Sequence, residues 1–230
     1  MLWCKDAEFS QGAYSLSAGL QIEAGKVTAV IGPSGAGKST LLGGIAGFVP
    51  QTRGALYWKG VDITTLAPAK RPVSMLFQDN NLFPHLSVMQ NVALALGPKL
   101  KPGATDRKRV EQMLGLVGLD GMADRKPAEL SGGQQSRAAL ARALLQDRDV
   151  MLMDEPFSAL GPGLKAEMLD LSVALAKEAG RTVVMVTHDP SDAARVADSI
   201  IGVSPNKAWP PIATQSFLSD PPAAFVDYLG

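Results

Sequence analysis

Apolar residues along this chain repeat with two different periods. Short, mainly apolar runs occur at 27–31, 73–77, 150–153, 182–186 and 200–203. Runs of this length predict strands buried on both faces. Residues 15–22 alternate partly, and 55–63 alternate around Tyr57 and Trp58, so both predict half-buried strands. Residues 1–31 read as strand throughout, with a turn at 23–26, and Gly60-Val61-Asp62 reads as another turn.

Helical spacing fills the gaps. A helix starts near Lys38 and ends near Gly47, with Pro50 forbidding extension. Pro68 and Pro72 bracket a loop. Ser87 predicts the cap of a helix through Val88, Val92 and Leu96, and the Gly/Pro-rich stretch 97–103 breaks it. Thr105 or Asp106 predicts the cap of another, with Val110, Met113, Leu114 and Val117 on one face. Ser131 caps a helix to about Leu145. Leu164, Met168, Leu171 and Leu175 share a face of the next, and Pro190 or Ser191 opens a shorter one through Val196. From Pro205 onward only a short segment near Phe217 has a pattern. Apolar strands alternating with helices predict an α/β fold with a mostly parallel sheet covered on both faces. The helical stretch in the middle predicts an inserted subdomain. Such a sheet binds ligands at the carboxyl ends of its strands.

Three strand ends carry chemistry. Gly32-Pro33-Ser34-Gly35-Ala36-Gly37-Lys38-Ser39-Thr40 follows one apolar strand and opens a helix, the context of a phosphate-binding P-loop. Its glycines let backbone N–H groups converge on an anion, and the helix dipole adds positive potential. Lys38 is predicted to reach the β- and γ-phosphates, and the Ser39 hydroxyl to ligate Mg²⁺. A second strand delivers Asp154 and Glu155 to the same edge. Asp154 suits a Mg²⁺ contact, and Glu155 suits general-base activation of water. A third ends at Thr187-His188-Asp189, where His188 could donate to a γ-phosphate. Gln78, after the 73–77 strand, offers a metal ligand and a water-positioning amide. Ser131-Gly132-Gly133-Gln134 forms a second N–H-rich helix start. One P-loop does not need two anion nests in one chain. The economical reading assigns the second nest to the nucleotide of another copy, in a head-to-tail homodimer.

Composition narrows the class. Lys+Arg and Asp+Glu both number 22, so no basic excess points to nucleic acid. Cys4 is the single cysteine and cannot close an internal disulfide, which fits a reducing cytoplasm. The first residues include Asp6 and Glu8 and resemble no signal peptide. No apolar run reaches the roughly 18 residues that span a bilayer, so a membrane role would go through a partner.

These residues resemble the ATP-binding subunits of ABC transporters. GPSGAGKST is similar to the Walker A loop, Met151-Leu-Met-Asp154-Glu155 to Walker B, Gln78 to the Q-loop, Leu130-Ser131-Gly132-Gly133-Gln134 to the signature, and His188 to the switch histidine. The resemblance covers essentially the whole chain. It implies a P-loop NTPase with a RecA-like core at about 1–80 and 147–230. An antiparallel β subdomain and a helical signature subdomain at about 81–146 complete the expected single domain. It implies ATP and Mg²⁺ as ligands, a homodimer, a transmembrane permease and, indirectly, a periplasmic substrate-binding protein. The expected place is the cytoplasmic face of a bacterial inner membrane. Phe9 is the expected adenine-stacking aromatic, with Tyr14 as the alternative. A groove near Gln78 to Leu86, with Leu82 and Phe83 expected to be exposed, should receive a short permease helix.

Two positions depart from the family pattern. Gly161 replaces the usual aspartate after Ser158-Ala159-Leu160, and Gln135-Ser136-Arg137 lacks one usual arginine. Neither is expected to touch phosphate or water. Within the family, residues 71–87 are similar to the ATPases of bacterial thiamine importers, as are 154–160 and 193–195. The absence of an added C-terminal regulatory domain agrees with that class. An importer for another small solute (polyamine, iron(III), an anion) and a soluble non-transport ABC ATPase are the alternatives.

Overall fold

The five apolar runs become the parallel half of one sheet. The computed structural model describes residues 1–98 and 101–229. In chain order its strands are β1 (Leu2–Gln11), β2 (Tyr14–Ile22), β3 (Val27–Ile31), β4 (Gln51–Trp58), β5 (Val61–Asp62), β6 (Val73–Leu76), β7 (Val150–Asp154), β8 (Thr182–Val186), β9 (Ser199–Ser204), β10 (Lys207–Ala208) and β11 (Ile212–Ala213). Its helices are α1 (Lys38–Ala46), α2 (Val88–Ala93), α3 (Ala104–Leu116), α4 (Gly132–Leu145), α5 (Pro162–Glu178), α6 (Pro190–Val196), α7 (Thr214–Ser219) and α8 (Val226–Leu229).

Strands β6, β7, β8, β3 and β9 lie side by side and parallel. Strands β5, β4, β1 and β2 form an antiparallel wing, joined to β9 through the short β10. Alternation in the central strands divides the core. Val150, Leu152, Val184 and Val186 face Leu41, Leu42 and Ile45 of α1. Met151, Met153, Val183 and Met185 face the other way, toward α2, α4 and α5. Side chains of this kind, fully buried, each contribute about 1.5–3 kcal/mol. Two apolar clusters therefore clamp the sheet from both sides and fix the height of its carboxyl edge.

Register then collects the motifs. Ala29 is level with Met185, Met153 with Met185, and Leu76 with Met153. All four parallel strands β6, β7, β8 and β3 consequently run out on one edge. That edge carries the loops holding Gln78, Asp154-Glu155, His188 and Gly32–Thr40.

Three local expectations shift. The turn expected at 60–62 lies one residue earlier. Lys59 and Gly60 both have positive φ (48° and 82°), and Val61–Asp62 pairs with Tyr57 and Trp58. Positive φ at both central residues is the two-residue turn that matches strand twist. Helix α3 starts at Ala104 behind Gly103, which offers no capping side chain, rather than behind Thr105 or Asp106. Asp106 remains in the first turn, where it favours the dipole. The expected break at 97–103 includes residues 99–100, outside the described residues. The stretch after Pro205 also has more structure than its pattern predicts. Phe217 and Phe225 are both fully buried against Ala29, Ile31 and Ile200.

Candidate active site

The P-loop wraps the start of α1. Gly37, its N-cap, has φ of 102° and supplies no side chain to the helix. A Cβ there would also strike the Tyr14 hydroxyl at 2.3 Å. The first-turn N–H groups of α1 thus stay available to an anion. Lys38 is nearly buried, and its Nζ donates to the Gly32 and Pro33 carbonyls at 2.8 and 3.0 Å. Burial pushes the Lys38 amine down, while the Glu155 and Asp154 charges oppose that shift. A buried ammonium resting on neutral carbonyls gains from a phosphate placed beside it.

The cleft over this loop encloses about 340 Å³ and is lined by Gln11, Tyr14, Ser34, Gly35, Gly37, Lys38, Ser39, Thr40 and Glu155. Phe9 does not reach it. Its ring is fully buried against α1, so close that a Cβ on Gly44 would come within 2.3 Å. Strand alternation explains the error, because Phe9 points to the core face of β1. The aromatic at the cleft is Tyr14, whose hydroxyl donates to the Ala36 carbonyl at 2.6 Å.

Asp154 and Glu155 leave β7 in different directions. Asp154 Oδ1 accepts from the Ser39 hydroxyl at 3.2 Å. Burial pushes its carboxyl up; the Ser39 hydrogen bond pulls it back, and the Glu155 charge adds to the rise. Glu155 sits in the left-handed region, with φ of 44°. A non-glycine residue there costs on the order of 1–3 kcal/mol and is characteristic of functional sites. The twist carries its Oε2 to 2.9 Å from His188 Nδ1 at the end of β8. Gln78 is exposed and leaves the sheet beside the β7 exit.

The His188 loop is braced from α5. Lys165 Nζ lies 2.7 Å from Asp192 and 3.1 Å from Asp189. Thr187 donates to the same Asp192 at 2.5 Å. Asp189 also caps α6 through Ser191, and that hydroxyl leads in holding its carboxyl down at about 2. Its contribution is therefore full above the ordinary aspartate range near ~4 and is lost as pH falls through about 2.

Ser131 caps α4 in a reciprocal box. Its hydroxyl accepts from the Gln134 N–H at 3.3 Å, and Gln134 Oε1 accepts from the Ser131 N–H at 2.9 Å. Gly133 packs under Leu164, where a Cβ would meet Cδ2 at 2.8 Å. None of Ser131, Gly132, Gly133 and Gln134 lines the P-loop cleft. The two N–H-rich helix starts therefore lie apart within the chain.

An ABC transporter family model matches residues 17–158. The chain belongs to the ABC transporter family. A thiamine import ATP-binding protein, ThiQ, of Ruegeria sp. (strain TM1040) is 54% identical over all 230 residues of this chain and 100% of its own length. One from Brucella suis is 46% identical over 98% of this chain and 94% of its own. Among solved structures, the ADP conformation of the cassette MJ1267 superposes with a TM-score of 0.89 at 25% identity, covering 100% of this chain and 98% of that one. The dimeric cassette MJ0796 bound to ADP and Pi gives 0.79 at 30% identity, covering 93% and 99%. This member of the family is an ATP-hydrolysing cassette with the expected P-loop α/β fold.

The site also uses residues that no motif announced. Arg142 of α4 donates to the carbonyls of Asn80 and Asn81 at 2.8 and 2.7 Å, tying the signature helix to the Gln78 loop. Both asparagines have positive φ, the hint that sequence offered, since Asn tolerates that region. Lys165 of α5 is part of no motif, yet it pairs with both Asp189 and Asp192. At Gly161, the N-cap of α5, φ and ψ are −62° and 155°, and a Cβ would meet nothing within 4 Å. Gly161→Asp is therefore expected to cap α5 and gain a few tenths of a kcal/mol, with Lys165 one turn on adding support. ATPase activity should stay equal or rise; a clear loss would show that glycine itself is required at this turn.

Proposed function

We propose that this cassette hydrolyses ATP to drive thiamine uptake by a bacterial importer. The observation that carries the cargo is the 54% identity, end to end, with a thiamine import ATP-binding protein. The working unit is a homodimer beneath a transmembrane permease, fed indirectly by a periplasmic binding protein. No helix among the described residues is long and apolar enough to cross a membrane. In this reading the chain sits peripherally, on the cytoplasmic face of the inner membrane.

Each residue has a role derived from its surroundings. Residues 32–40 hold the phosphates through backbone N–H groups, and Lys38 moves from its two carbonyls to them. Tyr14 presents the aromatic surface for adenine. Ser39 and Asp154, already in contact, supply hard oxygen donors of the kind Mg²⁺ takes, with Gln78 as a third. Bound there, Mg²⁺ would neutralise charge on the phosphates. Glu155 takes the proton from the attacking water. His188 exchanges its contact with Glu155 for one with the γ-phosphate. Ser131, Gly132 and Gly133 meet the nucleotide of the partner protomer, and the Ser131–Gln134 box keeps their N–H groups ordered.

A groove between the core and the helical segment suits the permease. It encloses about 690 Å³ and is lined by Phe48, Met75, Phe77, Leu94 and Leu96, among others. Phe48 is 58% exposed and lies 6.2 Å from the Phe77 ring. Leu82 and Phe83, the anchors expected from sequence, are not among its lining residues. Phe83 is also exposed, whereas Leu82 packs against the helical cluster. Radiolabelled thiamine uptake, with and without this chain in a strain lacking other thiamine importers, tests the cargo. Accumulation should depend on the chain; unchanged uptake would remove thiamine and leave the family.

A further inference from the structure

The segment after Pro221 carries no motif, yet it reaches the switch loop. Phe225 is fully buried, 5.4 Å from the Phe217 ring and 6.3 Å from Trp209. It occupies the space over Gly202, where a Cβ would come within 2.3 Å of its ring. Gly202 pairs with Ile31, the residue before the P-loop. Ala193 of α6, the helix that follows His188, belongs to the same cluster. Phe225 therefore fixes the segment against both the P-loop strand and the switch helix. Helix α8 begins at the next residue. One turn from Phe225, the Tyr228 hydroxyl donates to the His188 carbonyl at 2.9 Å.

The neighbours of His188 are restrained by other bonds. The Thr187 N–H donates to Val30, and the Asp189 N–H donates to the Thr187 hydroxyl. Asp189 is also held by Lys165 and Ser191. The backbone carbonyl of His188 itself is reached by Tyr228. The Gly32 amide lies beside the same hydroxyl. One phenol thus sits between the first residue of the P-loop and the loop carrying the imidazole.

We infer that Tyr228 is a positioning residue for His188, its hydroxyl fixing the His188 backbone so that the imidazole is held for ATP hydrolysis. This rests on the assignment of His188 to the γ-phosphate. Removing the hydroxyl frees the His188 carbonyl and the Gly32 N–H, both of which water can satisfy, so the fold survives while the loop gains freedom. The loss should then appear in turnover rather than in ATP binding.

Steady-state ATP hydrolysis by the full chain tests this with Tyr228→Phe, His188→Ala and the double variant. Tyr228→Phe should lower kcat roughly three- to tenfold, the rate equivalent of about one hydrogen bond. KM for ATP should stay within about twofold and the melting midpoint should hardly move. In the His188→Ala background the same substitution should have almost no further effect on residual turnover. An unchanged kcat in Tyr228→Phe, with His188→Ala strongly impaired, overturns this inference and leaves the role of His188 intact. An equal loss in both backgrounds also overturns it, because Tyr228 would then act independently of His188. Full activity in His188→Ala would remove both assignments together.

Discussion

Glu155→Gln is expected to lower ATP turnover by roughly two to four orders of magnitude, the usual worth of a general base. Glutamine keeps the size and the hydrogen-bonding reach of the side chain but cannot accept a proton from water. The left-handed backbone at this position is set by the β7 exit and by the Glu155 N–H donating to Val186 at 3.2 Å, so the substitution leaves it in place. Contact with His188 can persist through the amide. The P-loop, Ser39 and Asp154 are untouched, so ATP should bind as before. A protein that binds ATP without consuming it should accumulate as the closed dimer. Two measurements check this: phosphate release over many turnovers, and size-exclusion chromatography with ATP and Mg²⁺. Sustained multiple-turnover hydrolysis would remove Glu155 from the role of base. Normal binding without dimer accumulation would leave the base in place and count against the shared nucleotide site.

How legible this site was in the sequence depended on the distance between cause and effect. The P-loop, the Asp154-Glu155 strand end and the Ser131 cap are local devices. Each is a strand or helix terminus whose function requires particular residues in consecutive positions, so spacing alone exposes them. The same holds for the strands, because burial on both faces forces mainly apolar runs. Phe9 failed for a physical reason. An aromatic near the start of β1 can face the core or the cleft, and only the pairing of β1 with β2 and α1 decides which. Arg142, Lys165 and Tyr228 were invisible for a related reason. Each acts across 24 to 62 residues of chain on a backbone carbonyl or a carboxylate of a motif loop. No local period records such a bond. The segment after Pro205 looked patternless because its packing is carried by a few aromatics in short turns rather than by a repeating face.

Arg71 belongs to the same long-range class, and its loss is expected to have the largest effect on stability. It is 4% exposed although charged. Its Nη1 donates to the carbonyls of Gly44 and Ile45 at 2.7 and 2.8 Å, its Nη2 to Thr64 at 2.9 Å and its Nε to Leu66 at 3.0 Å. The first two are last-turn carbonyls of α1, a helix that ends at Ala46; Gly44 O also accepts from the Gly47 N–H at 3.2 Å, so Ile45 O depends most on the guanidinium. A cation there also meets the negative end of the helix dipole. Gly47 makes room for the guanidinium, since a Cβ would meet Nε at 2.7 Å. Arg71→Leu keeps much of the volume but removes the guanidinium donor from all four carbonyls, two of them in a buried part of the site. Leaving one such group unsatisfied costs about 1–3 kcal/mol, and partial relaxation brings the expected total to roughly 3–5 kcal/mol. For a chain of this size that lowers the melting midpoint by on the order of 10 °C. Arg71→Lys should lose less, because one ammonium can still reach some of the four acceptors but lacks the planar fork. Helix α1 is the one that presents the phosphate cradle, so ATP affinity should fall with the fraying of its far end. Denaturant unfolding of both variants checks the ranking. A midpoint for Arg71→Leu equal to that of the parent would mean that water or a neighbour satisfies these carbonyls, and that the buried guanidinium is not what holds the end of α1.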